Sequence, residues 1–255
     1  MCLTVAVNKT VTTAAEASEN VLHVACMFGL GVDEHREEVI VPETSIPIPA
    51  GQVVYITGAS GSGKSTILRL VKERLSADKS VHLIDFDDMN CVDDATESDA
   101  SIVDGFGEAP LRDVLRWLSI AGLNDAFVML RKPRELSDGQ RYRLKLAKAI
   151  GEAESLNAET DEIKQVVVLA DEFGATLDRV TAKVIGKNIQ RWVKGSLNGM
   201  GLRSEDEEKV GVTLVVATTH DDLMEALEPG VLVEKGLGGE IGVFMRENKC
   251  ERAGE

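Results

Sequence analysis

Apolar runs alternate along the chain with segments of helical periodicity, which predicts strands separated by helices. Buried strands are predicted where the apolar runs are unbroken, over residues 52–57, 80–86, 166–170 and 212–218. Helices are predicted where apolar residues recur every three or four positions, over 16–29, 65–75, 111–120, 124–130, 178–194 and 222–227. Residues 1–15 are either a short strand or a loose arm. Shorter strands are expected over 38–41, 231–233 and 241–244, the last two at a sheet edge.

A glycine-rich segment stands between the predicted strand 52–57 and the predicted helix 65–75. It matches G-x-x-x-x-G-K-[ST] completely, with Gly58, Ala59, Ser60, Gly61, Ser62, Gly63, Lys64, Ser65 and Thr66. Glycines let such a loop turn its N–H groups toward phosphate oxygens, and the helix N-terminus adds partial positive charge. Lys64 is expected to reach the β- and γ-phosphates, and the Ser65 hydroxyl to bind Mg²⁺. The pattern predicts a nucleotide site rather than a turn that binds nothing.

Composition narrows the class of protein. The 255 residues are 44% hydrophobic and 28% charged, so one packed domain over residues 1–255 is expected. The formal charge of −15 disfavours nucleic-acid binding over the whole surface and leaves room only for a local basic patch. Four scattered cysteines without a C-x-x-C pair suit a reducing compartment. No signal-peptide pattern or membrane-length apolar run is present, so a cytoplasmic protein without direct membrane insertion is expected.

Three further motifs follow the phosphate loop. Ser137, with Gln140 three residues later, is a capping-box pattern that predicts the start of a long helix. A fully apolar strand ends in Asp171-Glu172, and the next one ends shortly before His220. Taken alone, the histidine fits a core position and the two carboxylates fit a strand-end charge pair. Beside a phosphate loop, the functional interpretation of all three is favoured.

The remaining polar segments lead to three predictions. Arg143 falls inside the apolar arc of the helix after Ser137, so it should have a buried or interfacial partner. The acidic residues within 87–105 are interpreted as a solvated loop rather than a metal site. Residues 195–211 carry four glycines and an acidic run, which predicts an exposed insertion.

The order of these landmarks closely resembles the ABC-type ATPase (nucleotide-binding domain) family from about residue 38 onward. Leu136-Ser137-Asp138-Gly139-Gln140 looks like the signature of that family, and Thr176-Leu177-Asp178 follows the strand that ends in Asp171. The phosphate loop alone is shared with kinases and GTPases, whereas the signature is far more specific. The resemblance implies an α/β fold: a P-loop NTPase core with a mostly parallel sheet, a small antiparallel β portion and a compact helical signature subdomain. The implied boundaries are core over about 16–90 and 159–247, helical subdomain over 91–158 and acidic loop over 195–211.

For the chemistry, the resemblance implies that ATP is bound with Mg²⁺ and hydrolysed. Asp171 would hold the ion through water, opposite Ser65. Glu172 would act as general base on the attacking water. Lys64 and His220 would contact the γ-phosphate as the other catalytic residues, since phosphoryl transfer depends mainly on placement and charge.

The resemblance further implies a head-to-tail dimer in which two chains enclose two ATP molecules. The Ser137 hydroxyl and the Gly139 N–H of one chain would bind the γ-phosphate held by the other. Gln140 and Asp178 are assigned to the same nucleotide site. The implied partner is therefore a second copy of this chain.

Several departures from the family pattern shape the functional expectation. No glutamine lies between the phosphate loop and Gln140, so the glutamine loop that reports to a transport partner has no candidate. No aromatic residue lies between Phe28 and Tyr55 to stack on adenine, and the helical subdomain is compact. A stand-alone soluble member that drives an unknown effector protein or nucleic acid is favoured. The alternatives are the ATP-binding subunit of a transporter and a slow, nucleotide-dependent dimerisation switch.

Overall fold

The amino-terminal part of the chain forms a two-stranded antiparallel sheet. The computed structural model describes residues 2–13, 18–29, 36–89, 100–156, 163–198 and 210–246. Strand β1 (Cys2–Thr13) pairs with β2 (Arg36–Pro49) along nearly its whole length. Three prolines lie within β2, where a two-stranded sheet leaves one edge unpaired. β2 is much longer than the strand predicted over 38–41, and β1 accounts for most of the segment 1–15, which is therefore not a loose arm.

A six-stranded sheet forms the centre of the fold. Its strands are β3 (Val53–Gly58), β4 (Val81–Asp85), β5 (Gln165–Asp171), β6 (Gly211–Ala217), β7 (Val231–Lys235) and β8 (Ile241–Met245). The spatial order is β4-β5-β6-β3-β7-β8, and every neighbouring pair is parallel except β7 and β8. The predicted edge position of β7 is wrong, because it lies between β3 and β8. The predicted edge position of β8 is confirmed.

Helices cover both faces of this sheet. The described helices are α1 (Glu19–Phe28), α2 (Lys64–Leu75), α3 (Leu111–Ile120), α4 (Ala126–Met129), α5 (Asp138–Leu156), α6 (Arg179–Asn198) and α7 (Met224–Leu227), and α1 belongs to neither of the two apolar clusters that follow. One apolar cluster joins α3, α5, α6 and α7 to one face of the sheet. A second cluster joins α2 and the β1–β2 sheet to the other face. Within the described ranges, no helix is both long enough and apolar enough to cross a membrane.

Helix α1 was predicted as a helix, but most of its apolar residues are not buried. Ser18 caps its first turn, and Gly29 ends it with a φ of 65°. Among its side chains only Ala25 is buried, whereas Val24 is 54% and Phe28 75% exposed. The helical spacing of apolar residues therefore indicated the element correctly. Which face becomes buried was decided by tertiary packing.

The predicted exposed insertion over 195–211 is shorter than expected. Helix α6 continues to Asn198, and β6 already begins at Gly211. Both ends of the segment therefore belong to regular elements. The remainder, 199–209, lies outside the described residues, as do residues 90–99 of the predicted acidic loop.

One carboxylate ties α5 to two other helices. Glu154 accepts hydrogen bonds from the indole Nε1 of Trp117 on α3 (2.7 Å) and of Trp192 on α6 (2.9 Å). The Arg116 guanidinium also pairs with it, and the Glu154 side chain is 18% exposed. Because three donors replace most of its water, the carboxylate is satisfied inside the protein. The network joins the helix that begins at the signature to a helix of the core.

Replacing Glu154 with Gln should lower the free energy of unfolding by about 2 kcal/mol, because an amide has one acceptor oxygen and turns an NH₂ group toward the remaining donors. Urea unfolding followed by tryptophan fluorescence measures the change. The control is Glu152→Gln, an exposed position on the same helix, where the change should stay below about 0.5 kcal/mol. Equal losses in both variants would contradict this role for Glu154.

A second carboxylate fixes the contact between α6 and the residue after α7. Glu228 accepts hydrogen bonds from Lys187 (2.5 Å), Gln190 (3.1 Å) and Lys194 (3.1 Å). The hydrogen bonds from Lys187 and Lys194 lower the pKa of Glu228 to about 2. Because the fold favours the ionised form, this contribution to stability is fully present above the ordinary pKa of 4.5 and is lost as the pH falls through about 2.

The Glu228→Gln variant should consequently lose less stability than the wild type as the pH is lowered from 4.5 to about 2, since it has no carboxylate to protonate. Urea midpoints measured across this range test the expectation. Parallel pH curves for the two proteins would show that the lysine contacts of Glu228 do not influence folding.

Candidate functional site

Three functional segments meet at one edge of the six-stranded sheet. Strand β3 runs into the phosphate loop, β5 ends at Asp171, and His220 follows β6. The three strands are parallel and adjacent in the order β5-β6-β3. Their carboxyl ends therefore face the same side of the sheet, which is where ligands bind in α/β folds.

The phosphate loop is held against β7 by a glycine contact. Gly58 is the register partner of Lys235, and a Cβ atom at Gly58 would lie 2.1 Å from the Lys235 carbonyl oxygen. Gly61 and Gly63 have φ values of 77° and 102°, a region that favours glycine. Helix α2 begins at Lys64, so a helix N-terminus stands directly at the loop.

The Lys64 side chain crosses its own loop. Its Nζ donates to the carbonyl oxygens of Gly58 (2.9 Å) and Ala59 (2.8 Å), and the residue is 8% exposed. A phosphate oxygen is a stronger acceptor than a carbonyl, so the ammonium can exchange these partners for a ligand. The other predicted loop residues differ in burial: Ala59, Ser60, Gly61 and Ser65 are exposed, Gly58, Gly63 and Thr66 are half-buried, and Ser62 is buried.

The two residues predicted to hold Mg²⁺ supply hard oxygen atoms. Ser65 is exposed on the first turn of α2, and Asp171 is half-buried at the end of β5. The Asp171 Oδ1 accepts the Glu172 N–H at 3.0 Å, which fixes the carboxylate orientation. Hydroxyl and carboxylate oxygens suit Mg²⁺ together with phosphate and water. In the part of the chain that the structure describes, no group of three or more acidic, histidine or cysteine side chains could hold a metal.

Glu172 has a backbone conformation that is uncommon for a residue with a side chain. Its φ is 46°, in the left-handed region, and its side chain is exposed. Such a conformation persists only where the surroundings enforce it. Here the Ala175 N–H donates to the Glu172 carbonyl oxygen at 2.9 Å, while Asp171 holds the Glu172 N–H. The strained turn presents the Glu172 carboxylate to solvent at the end of β5.

Two side chains of β3 fix the segment after β6. The Tyr55 hydroxyl donates to the carbonyl oxygen of His220, and the Thr57 hydroxyl donates to Oδ1 of Asp221 at 2.8 Å. Burial, reinforced by the charge of Asp221, raises the pKa of Tyr55, so its hydroxyl keeps the proton that it donates. The half-buried His220 is thereby held in place relative to the strand that carries the phosphate loop.

The signature segment opens α5 with the predicted capping box, which is confirmed. The Gln140 N–H donates to Ser137 Oγ (3.4 Å), and the Ser137 N–H donates to Gln140 Oε1 (3.1 Å). Gly139 packs against the loop after β5, since a Cβ atom there would lie 3.6 Å from the Leu177 side chain and 3.7 Å from the Thr176 carbonyl oxygen. The first turn of α5 therefore touches the segment that follows Glu172.

Arg143 and Tyr142 extend this contact along α5. As predicted, Arg143 finds partners inside the protein, because its Nε donates to the Gly139 carbonyl oxygen (3.1 Å) and its Nη1 to that of Gly122 (3.0 Å). The Tyr142 hydroxyl accepts the N–H of Gly174 at 2.9 Å, and burial raises the pKa of this tyrosine. The signature helix is thus bonded directly to the turn that contains the candidate general base.

Asp178 stands at the N-terminus of α6 and is engaged in capping it. Its Oδ1 accepts the Thr181 N–H at 2.9 Å. Hydrogen bonds from Thr181 hold the pKa of Asp178 below its ordinary value. The side chain is exposed, so a role in nucleotide binding would have to be combined with this structural one.

The acidic residues at the end of β4 were not predicted to belong to the site. Asp87, interpreted as part of a solvated loop, accepts the backbone N–H of Asp171 through its Oδ2 at 3.0 Å. Asp85 and Asp88 both pair with Lys72 on α2, and these hydrogen bonds raise the pKa of the lysine. A signal was available, because these residues follow a predicted parallel strand and so belong to the same sheet edge as Asp171.

The family model described as ABC transporter matches residues 41–158. The chain is 26% identical over 242 residues to the methionine import ATP-binding protein MetN of Clostridioides difficile (strain 630), covering 82% of this chain and 67% of that protein. It is 28% identical over 224 residues to the sulfate/thiosulfate import ATP-binding protein CysA of Acinetobacter baylyi, covering 78% and 56%. The chain therefore spans between about half and two thirds of the length of these relatives.

A solved structure described as a dimeric structure of MJ0796, a bacterial ABC transporter cassette, has a similar fold. The TM-score is 0.56 at 16% sequence identity, and the match covers 96% of this chain and 100% of that chain. At this identity the likeness concerns the fold alone. The predicted fold class, an α/β core with a mostly parallel sheet and a small antiparallel portion, is confirmed.

The left-handed conformation of residue 172 leads to a stability prediction. The Glu172→Gly variant should be more stable than Glu172→Ala by about 1 kcal/mol, because only glycine is free of Cβ strain at a φ of 46°. Urea unfolding of both variants measures the difference. Ala175→Gly, in the same turn but without a positive φ, is the control and should be less stable than the wild type. A Gly variant no more stable than Glu172→Ala would argue against strain at Glu172.

Proposed function

The chain contains an ABC-type nucleotide-binding domain, and on this premise we propose that it binds Mg-ATP and hydrolyses it to drive a partner process. The observation that carries the proposal is the convergence of three parallel strand ends. They supply a complete phosphate loop, the pair Asp171-Glu172 and His220 at one sheet edge. Each of these groups has a distinct task in phosphoryl transfer, which requires placement and charge rather than covalent chemistry.

Phosphate binding is assigned to the loop and its lysine. The N–H groups at the start of α2 form a helix N-terminus, which favours anions. Lys64 exchanges the carbonyl oxygens of Gly58 and Ala59 for β- and γ-phosphate oxygens when ATP enters. Ser65 and Asp171 would hold Mg²⁺, and the ion would supply positive charge against the charge that develops on the phosphates.

Activation of the attacking water is assigned to Glu172. Its carboxylate is exposed and stands one residue beyond the metal-binding Asp171, in a turn held by hydrogen bonds from both sides. A carboxylate within hydrogen-bond reach of the water can accept its proton as the oxygen attacks. His220, positioned by Tyr55, contacts the γ-phosphate from the end of the next strand.

The second half of the site is assigned to another copy of the same chain. Ser137 is exposed at the start of α5, with a side-chain hydroxyl and a helix N-terminus available to an anion. We propose that Ser137, Gly139 and Gln140 of one chain close over the γ-phosphate bound by the other, with Asp178 at the same interface. The solved cassette of similar fold is described as dimeric, which is consistent with this arrangement.

The Glu172→Gln variant should bind ATP, lose hydrolysis by about 100-fold or more, and accumulate as an ATP-dependent dimer, because the amide cannot accept the proton of the water. Light scattering with and without ATP measures the dimer, and phosphate release measures turnover. Adding Ser137→Ala to this variant should weaken the dimer, since the composite site then lacks one hydroxyl.

Lys64→Ala serves as the matched control and should lose ATP binding, dimerisation and turnover together. A Glu172→Gln protein that hydrolyses ATP like the wild type would remove Glu172 from the general-base role. Wild-type turnover no faster than that of Lys64→Ala would instead favour a slow dimerisation switch, in which occupancy by ATP is the signal.

A second candidate function is the ATP-binding subunit of a transporter, favoured by the relatives that are described as import ATP-binding proteins. The leading proposal remains a stand-alone cytoplasmic ATPase acting on an effector protein or nucleic acid. The trapped Glu172→Gln dimer discriminates between them. Co-purification with membrane subunits supports transport, whereas capture of a non-membrane effector or stimulation by nucleic acid supports the stand-alone ATPase.

A further inference from the structure

A second lysine lies beneath the phosphate loop. Lys235, the last residue of β7, is 2% exposed, even less than Lys64 at 8%. Its carbonyl oxygen is the atom that excludes a side chain at Gly58. Its Cε lies 3.9 Å from the point where a Cβ atom on Gly63 would stand, next to the Ile40 side chain. The Lys235 side chain therefore runs alongside the loop, from its first glycine toward its last.

The Lys235 ammonium is poorly neutralised by its surroundings. Its Nζ donates to the Gly236 carbonyl oxygen at 2.8 Å. Among the described residues, no carboxylate forms an ion pair with it within 4.0 Å. Burial lowers the pKa of Lys235, and the charge of Glu240 opposes this only in part. A buried cation that is only partly compensated is unfavourable, so the lysine has a cost in the nucleotide-free protein that a methionine of similar length would not have.

Another polar group of the same loop also lacks a partner. Ser62 is 5% exposed, and within the described part of the chain its Oγ has no hydrogen-bond partner. This oxygen lies 3.0 Å from the Cβ position of Gly58, which is also where the Lys235 backbone approaches. Buried hydroxyls are normally satisfied. The Ser62 hydroxyl in the loop and the Lys235 ammonium beneath it both lack full compensation, which indicates that an anion binds at the loop.

We infer that Lys235 is a second cation of the phosphate site, whose charge acts through the loop to stabilise the phosphate chain of bound nucleoside di- and triphosphates. The inference rests on the nucleotide binding proposed above and adds a binding determinant to it. The chain carries a net charge of −15, and Asp171 and Glu172 stand at the same sheet edge. In a chain of this net charge, a further cation beneath the loop would stabilise a bound polyphosphate in addition to Lys64, the start of α2 and Mg²⁺.

The buried position of Lys235 determines how it acts. With 2% exposure the ammonium is shielded from salt, so its charge is felt across the loop at higher effective strength than a surface charge. Lys235 acts on the phosphate chain only through this electrostatic field and makes no direct contact with it. The effect therefore does not require a γ-phosphate. The affinities for ATP and for ADP should therefore depend on Lys235 to a similar degree, whereas the rate of the hydrolysis step should not depend on it.

Three substitutions separate charge from packing. Lys235→Met removes the charge at similar length, Lys235→Gln removes it but keeps a donor for Gly236, and Lys235→Arg keeps it. The Kd values for ATP and ADP should each rise about tenfold in the Met and Gln variants, the size expected for a unit charge several ångströms from a phosphate. Turnover at saturating ATP should change less than about threefold, as for uniform binding. Lys235→Arg should keep most of the affinity.

The nucleotide-free protein gives a second readout. Lys235→Met should melt at a higher temperature than the wild type, because a buried charge that is only partly compensated is gone. Titration calorimetry and thermal unfolding measure the two effects, and Lys79→Met, at an exposed lysine, should alter neither. Higher stability combined with weaker nucleotide binding is a pair of changes that loss of a merely structural lysine would not produce.

The outcomes are distinct. If the wild type binds ATP, and the Met and Gln variants bind ATP and ADP as tightly as the wild type does, the inference is overturned and the proposed function stays intact. If Lys235→Met and Lys235→Gln melt at lower temperatures than the wild type, and Lys235→Arg loses nucleotide affinity as well, Lys235 is a packing residue. A wild type that binds neither nucleotide would overturn the proposed function and this inference together.

Discussion

The close backbone approach of β3 to β7 at Gly58 is the constraint on which the phosphate loop depends. A Cβ atom at this position would lie 2.1 Å from the Lys235 carbonyl oxygen, so the strand can pass into the loop only through glycine. The same approach brings the Lys235 side chain under the loop and leaves Ser62 buried beside it. One steric requirement thus sets both the shape of the loop and the charge beneath it.

From that edge, a chain of hydrogen bonds reaches α5. Asp87 and Asp171 hold the backbone at the end of β5, and Tyr142 holds Gly174 in the turn that follows. Tyr142 lies on α5, the helix whose first turn carries the signature. A change at Asp171, which is proposed to hold Mg²⁺, therefore has a direct physical route to the residues proposed to meet a second chain, although no glutamine lies between the phosphate loop and Gln140.

The sequence predicted elements well where local signals agree, and poorly where burial depends on distant partners. The limits of α3 and the capping box at Ser137 followed from spacing and side-chain chemistry alone. The exposed apolar face of α1 and the central position of β7 could not be predicted in this way. An amphipathic or alternating pattern does not specify which neighbouring element packs against it. The predicted internal partners of Arg143 were confirmed because a charge within an apolar arc must be satisfied.

By itself, the sequence determined the phosphate loop, the order of its motifs and the α/β class, since glycine spacing and strand–helix alternation are local properties. The tertiary structure alone decided that Asp87 binds the Asp171 N–H, that Glu172 occupies a left-handed turn and that Lys235 is buried beneath the loop. These features arise from parallel pairing of strands far apart in the chain. Register between such strands is fixed by the packed sheet, and no short stretch of sequence encodes it.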